Sequence, residues 1–325
     1  MREIIGGLVL DDKVKILIDW LTFSSKIYTE IQVIENILNM KYSSFIEMKR
    51  GRNGYKKGLH FDGITVLFDG LDNMGVCVDL AGTGCRTFTS FSSITFYDLL
   101  IALISDLDNY NISRFDVALD ETCGLLDLKL LVQKTNNLEF VTKIQKTEVV
   151  CSRKSRASPM AISLYFGSRA SPMLIRFYDK AKERNDYISH WVRCELQLRD
   201  DYALSMANIF LDESMIGENV GAVLNKHLRF IDITMVSNLS INKTSDFWQE
   251  YIDTINKITL VYHAPQEYNL DRAMAWMTKQ VAPTFSAVVQ CLGSENVLQK
   301  LKNAAIGRVN EKQAAMINNY KKEVI

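Results

Sequence analysis

The chain has 325 residues, 47% of them hydrophobic and 23% charged, with 38 Lys and Arg against 38 Asp and Glu. That is a globular composition, long enough for two domains or for one large domain with an appendage. No apolar run reaches the length of a membrane-spanning helix, and the opening MREIIGGLVLDDKVK has too short an apolar core and too early an acidic pair for a signal peptide, so a cytoplasmic protein is expected. Six cysteines (Cys77, Cys85, Cys123, Cys151, Cys194, Cys291) form no C-x-x-C pair, which argues against a thiolate zinc site or a dense disulfide framework.

In chain order, KILIDWLTF (15–23) predicts a first strand and TEIQVIENILNM (29–40) a helix. Strand-like pieces follow at SSFIEMKR, GLHFDGITVLF and GVCVDL, then a helix at TFYDLLIALISDL (95–107), a strand at ISRFDVALD (112–120) and a helix at LLDLKLLVQK. Four strands are expected around 140–151, 161–167, 173–180 and 190–199. After about residue 200 the pattern turns helical, in SDFWQEYIDTINKI, LDRAMAWMTKQV and QKLKNAAIGRV. The polar stretch SNLSINKTS (237–245) suggests a boundary between a domain at 1–240 and a helical C-terminal region at 241–325.

The zero net charge hides segregation. Between Lys41 and Lys57 stand six cations and one acid, and between Lys143 and Arg184 ten cations and three acids, so the rest of the chain is acidic. Such a distribution suits a polyanion held along one face, although a solvated basic face gives the same pattern.

Three of the predicted strands have an apolar back and a charged front. In RFDVALD the front carries Arg114, Asp116 and Asp120; in VRCELQLRD it carries Arg193, Glu195, Gln197 and Arg199; in LIRFYDKAKE it carries Arg176, Tyr178 and Lys180. A phenol has a resting pKa of about 10, and flanking cations are one way to make Tyr178 a better nucleophile. If the strands lie side by side, Asp116, Asp120 and Glu195 could offer oxygen ligands to Mg²⁺ or Mn²⁺. The alternative is that these acids pair with the arginines of the same faces. The turn at Gly167, Ser168 and Arg169 could hold a phosphate oxygen, or be a plain hairpin. LAGTGCR (80–86) offers Gly82, Gly84 and Arg86, but no nucleotide-binding fingerprint occurs, so ATP use is not indicated.

The ordered set IDWLTF, GLHFDG, GTGCR, RFDVALD, YFGSRASPMLIRFYDKAKE and WVRCELQLRDDYA resembles the replication initiation factor family: rolling-circle initiators of plasmids and filamentous phages and the related relaxases of conjugative elements. The resemblance implies an α+β fold with a central, largely antiparallel sheet, flanking helices and a helical C-terminal region. It implies a site- and strand-specific DNA nickase that joins a tyrosine, here Tyr178, to the 5′ phosphate and leaves a 3′ hydroxyl. Arg176 and Lys180 would assist, Asp116, Asp120 and Glu195 would hold Mg²⁺ or Mn²⁺, and Arg86, Lys154, Ser168, Arg169 and Arg193 would meet DNA. The expected partners are single- and double-stranded DNA at a replication origin, with a host helicase and a second copy of the chain as further candidates, and no membrane.

No His-hydrophobe-His pair is present among His60, His190, His227 and His263, so carboxylates must do the metal work; His60 reads as an ordinary strand histidine. Tyr165 and Tyr187 are rival nucleophiles, the first in apolar LYF and the second without paired flanking cations. Because the family strand starts almost at once, replication initiation is expected over conjugative transfer. A DNA-binding regulator without chemistry, or a phosphohydrolase using activated water, remain the competing readings.

Overall fold

The computed structural model describes residues 13–153, 160–235, 238–258 and 277–306, with isolated positions beyond 258. Its strands are β1 (Val14–Ser25), β2 (Ile46–Glu47), β3 (Lys57–Phe61), β4 (Ile64–Phe68), β5 (Val76–Ala81), β6 (Tyr110–Glu121), β7 (Phe140–Thr142), β8 (Thr147–Ser152), β9 (Ala161–Phe166), β10 (Met173–Asp179), β11 (Val192–Arg199), β12 (Leu228–Asp232) and β13 (Lys243–Thr244). Ten of them form one antiparallel sheet in the order β2-β3-β4-β5-β1-β6-β11-β10-β9-β8. The expected strand at 140–151 divides, since β7 joins β12 and β13 in a separate three-stranded sheet.

The first helix follows a capping box in which Thr29 and Gln32 satisfy each other's backbone: a short α1 (Glu30–Gln32) runs on into a π turn at Val33–Ile37. The other helices are α2 (Thr83–Phe91), α3 (Phe96–Ile104), α4 (Leu128–Asn136), α5 (Lys180–Glu183), α6 (Asp201–Ile209), α7 (Ile216–His227), α8 (Asp246–Asn256), α9 (Ala282–Leu292) and α10 (Ser294–Ala305). Among the described residues no single helix is long and apolar enough to cross a membrane.

The core lies behind the central strands. Phe115, Val117 and Leu119 of β6, Phe177 of β10 and Cys194, Leu196 and Leu198 of β11 are buried there with Phe210, Trp248 and Tyr251. Ring contacts tie the layers, Phe115 to Phe210 at 5.1 Å and Phe177 to Trp248 at 6.1 Å. A boundary at residue 240 therefore cuts through the packing: α8 fills the same core with Trp248 and Tyr251, both fully buried. From residue 238 the polar stretch holds a 3-10 turn at Leu239–Ile241 and then β13, with Asn242 and Ser245 buried, and such a polar segment looks the same in sequence whether or not a domain ends there.

Of the two GTGCR glycines Gly84 serves packing, whereas a Cβ at Gly82 would meet nothing within 4 Å. Gly84 opens α2 against Gly63 of GLHFDG, where an added Cβ would stand 2.3 Å from the Gly63 carbonyl oxygen. Gly63 has φ +86 and its own Cβ would meet the Gly84 nitrogen at 2.4 Å, so neither position accepts a side chain.

Glu121, at the end of β6, is fully buried. Its carboxylate accepts the backbone N–H groups of Cys123, Gly124, Leu125 and Leu126 at 2.6–3.2 Å and meets His190 Nε2 at 2.7 Å. Burial alone would raise its pKa; the His190 and backbone hydrogen bonds outweigh that and hold it below the usual carboxylate range. Glu121→Ala strips these donors and should cost about 3 kcal/mol, read as a Tm lower by roughly 6–10 °C. A depressed carboxyl pKa stabilises above the unfolded-state value and loses that contribution as pH falls through the folded one, so the Tm gap between wild type and Glu121→Gln should narrow below about pH 4.

Candidate active site

β6, β11 and β10 are neighbours in the sheet, so their polar fronts share one face. Register sets Arg176 opposite Glu195, Tyr178 opposite Arg193, Asp120 opposite Arg193, and Asp116 opposite Gln197. The Tyr178 hydroxyl lies 3.4 Å from Glu195 Oε2 and 3.3 Å from Lys180 Nζ. The Arg176 guanidinium stacks on the Tyr178 ring at 4.0 Å and donates to Glu195 at 2.7 Å, while its buried Nε has no partner. Lys180 also pairs with Glu183.

The flanking cations do not by themselves make Tyr178 acidic. Burial, and after it the Glu195 carboxylate, push the phenol well above its ordinary value despite Arg193 and Arg176. Only 5% of the residue is exposed. A phenolate at this position would form only with a neighbour to take the proton.

The proposed ligands do not converge. Each carboxylate is engaged by an arginine: Asp116 by Arg114 at 2.6–3.2 Å, Asp120 by Arg193 at 2.6 and 2.8 Å, Glu195 by Arg176. Among the described residues no three His, Cys, Asp or Glu side chains are grouped to hold an ion. Asp120 has both oxygens committed to Arg193, so its place is to position that arginine. Asp116 is different: burial raises its pKa to about 7 against the pull of Arg114, with Glu195 and Asp19 adding to the rise. A cation here would relieve that repulsion, and carboxylate oxygens suit a hard divalent ion.

Asp19 is the acid that alternation could not show. A register shift between Ile18 and Trp20 marks a bulge in β1, and Asp19 and Trp20 both reach the front: Asp19 accepts from Arg193 at 2.9 Å, and Trp20 donates to Asp79 at 2.6 Å beneath Arg114 at 3.8 Å. The Gly82 N–H holds the Asp19 carbonyl at 2.8 Å.

The residues expected on DNA scatter. Arg193 is 3% exposed and spends its donors on Asp120 and Asp19, so it organises the face and is not free to grip DNA. Ser168 and Arg169 sit in the turn before β10, at the opposite end of that strand from Tyr178, and the Ser168 hydroxyl is bonded to Ser171 at 2.9 Å. Lys154 lies outside the described residues. Arg86 does reach the site, from α2: burial, and then the charges of Arg184 and Arg193, lower its basicity, with Asp19 opposing. Arg86→Ala removes the attraction to Asp19 together with the repulsion from Arg184 and Arg193, so the Tm should stay close to that of wild type. The same variant should weaken single-strand binding and reduce the salt slope by about one.

His60 meets Thr65 at 3.3 Å and the Gly63 N–H. Tyr165 stands opposite Arg176 on β9, which places it closer to the charged front than its apolar sequence neighbours suggest.

The large antiparallel sheet backed by helices is the fold of a rolling circle replication initiator. Residues 110–301 match the replication initiation factor family, and residues 15–101 match the rolling circle replication initiation protein N-terminal domain. The chain belongs to the replication initiation factor family. It is 25% identical over 323 residues, 95% of this chain and 90% of the relative, to a Bacillus subtilis (strain 168) protein carrying the provisional name DNA relaxase NicK. A solved rolling circle replication initiator protein from Geobacillus stearothermophilus superposes with a TM-score of 0.70 at 29% identity, covering 76% of this chain and 98% of that one.

Proposed function

We propose that the chain nicks and rejoins one DNA strand at a replication origin through Tyr178. The observation that carries this reading is the Tyr178 hydroxyl held between Glu195 and Lys180 in a chain of this family. The phenol oxygen bonds to phosphorus as the bond from phosphorus to the 3′ oxygen breaks, giving a 5′ phosphotyrosine and a 3′ hydroxyl that a polymerase can extend. Glu195 receives the phenolic proton; Lys180 and Arg176 stabilise the charge on the phenol oxygen as it develops. The buried Arg176 Nε has no partner and could donate to a phosphate oxygen only if the guanidinium shifts off Glu195. Reversal needs no ATP because the phosphodiester's energy is kept in the new linkage.

As folded, Asp116, Glu195 and Asp19 are not grouped to hold an ion; Asp116 and Glu195 would take up Mg²⁺ or Mn²⁺ only once Arg114 and Arg176 release their carboxylates. Such an ion supplies charge neutralisation at the non-bridging phosphate oxygens. The same chemistry serves a relaxase of a mobile element, and the relative's provisional name keeps that second reading open. The test is a covalent adduct: 3′-end-labelled single strands tiling the DNA that encodes and flanks the chain, incubated with Mn²⁺ and run on a denaturing gel. A labelled band at the protein's position is expected. Cleavage with no such band would favour the phosphohydrolase, and binding with no cleavage the regulator.

A further inference from the structure

Between β10 and β11 the chain leaves the sheet at Asp179, one residue past Tyr178, and returns at Val192, one residue before Arg193. This excursion carries α5 and then a turn whose outermost residues are apolar: Ile188 is 98% exposed and Tyr187 48%. The turn is tied down on every side. Asp186 accepts the N–H groups of Ile188 and Ser189 at 2.9 and 3.0 Å, and its own N–H reaches the Ala181 carbonyl at 2.9 Å. The returning arm is fixed by His190 on buried Glu121 at 2.7 Å, by the Lys180 N–H on the Trp191 carbonyl at 2.8 Å, and by Arg184 over the Trp191 ring at 4.9 Å.

Single exposed apolar residues are common on proteins. Here two adjacent ones cap a braced projection whose root holds the nucleophile of the proposed reaction. Tyr178 is almost wholly recessed, so a phosphate inside a stacked duplex cannot reach it; the strand must first leave its partner. An aliphatic side chain on a rigid support is what DNA-kinking proteins insert between base steps, and the adjacent tyrosine broadens the apolar tip. The surroundings suit a phosphate backbone on either side, since Arg184 is exposed and Arg86 is drawn near it.

We infer that the Tyr187-Ile188 tip is a wedge that enters DNA at the junction of duplex and single strand and holds the strand open beside Tyr178. This rests on the nickase reading for its partner, DNA, but its test does not require cleavage. The probes are a 20-base-pair duplex with a 10-nucleotide single-stranded tail and 2-aminopurine in the first base pair of the junction, the same duplex blunt-ended, and a 30-nucleotide dT strand, all at low salt. Wild type should bind all three and raise junction 2-aminopurine fluorescence about twofold or more. Ile188→Ser and Tyr187→Ser/Ile188→Ser should bind dT within about twofold of wild type and lose the fluorescence rise, whereas Ile188→Met should keep it.

An unchanged fluorescence rise in the double variant would overturn the wedge and leave the tip to a protein partner. Equal loss of dT binding would also overturn it, because the tip would then be a general contact. Absence of dT binding by wild type would fell the DNA reading itself, a result the variants cannot mimic.

Discussion

Tyr178→Phe is expected to abolish the covalent adduct and lower nicking by on the order of 10³-fold or more, as removal of a covalent nucleophile does. The change deletes one oxygen and almost no volume. Glu195 keeps its bond to Arg176 and Lys180 keeps Glu183, so stability should shift by no more than about 1 kcal/mol and DNA binding should survive. Arg176→Ala and Lys180→Ala should slow cleavage without ending it. Peptide mapping of the trapped complex identifies the nucleophile. An adduct on Tyr165 or Tyr187, with Tyr178 unmodified, would refute the assignment and leave the nickase reading standing; Tyr165 is the rival to watch because it faces Arg176.

The second large effect is expected at Glu195. Glu195→Gln keeps the shape beside Arg176 but cannot take the phenolic proton, and nicking should fall by about 10²- to 10⁴-fold. Binding of a single strand should be retained or tighter, since a carboxylate that repels phosphate is gone. Glu195→Ala is the harsher test, because it leaves the Arg176 charge half-buried and unpaired and should lower stability as well. Asp116→Asn should also stop nicking and should weaken Mn²⁺ binding followed by calorimetry, and EDTA should silence the wild type. If Glu195→Gln and Asp116→Asn both cleave in an EDTA-sensitive way, neither residue has the proposed part. Asp120→Asn has a different signature, because its carboxylate grips Arg193: a loss of order at the face, with Mn²⁺ binding affected only indirectly.

The period of two along three strands was enough to put Tyr178, Glu195, Asp116 and Asp120 on charged fronts, since each side chain's face follows from its place in the alternation. The apolar backs of the same strands and the ordered motifs were likewise sufficient for the sheet class and the family. What alternation cannot contain is an extra residue. Asp19 and Trp20 reach the same face only because β1 bulges, and a bulge is decided by pairing with β6 and by the Gly82 contact from another element.

Nor could the sequence choose between a metal and an arginine as partner for each acid, because that depends on cross-strand neighbours: Arg193 of β11 takes Asp120 of β6, and Arg114 bends back onto Asp116. The glycines of GTGCR read as a phosphate loop or a turn until Gly63 is found against Gly84. The acidity of Tyr178 is set beyond the sequence for a similar reason. Two flanking cations are visible in the sequence, but the burial that outweighs them is a property of the folded chain, as is the nearness of Glu195, which stands 17 residues away. Local pattern determined which residues could meet on one face; the packing of distant segments decided which of them are paired, which are recessed and which remain free to act.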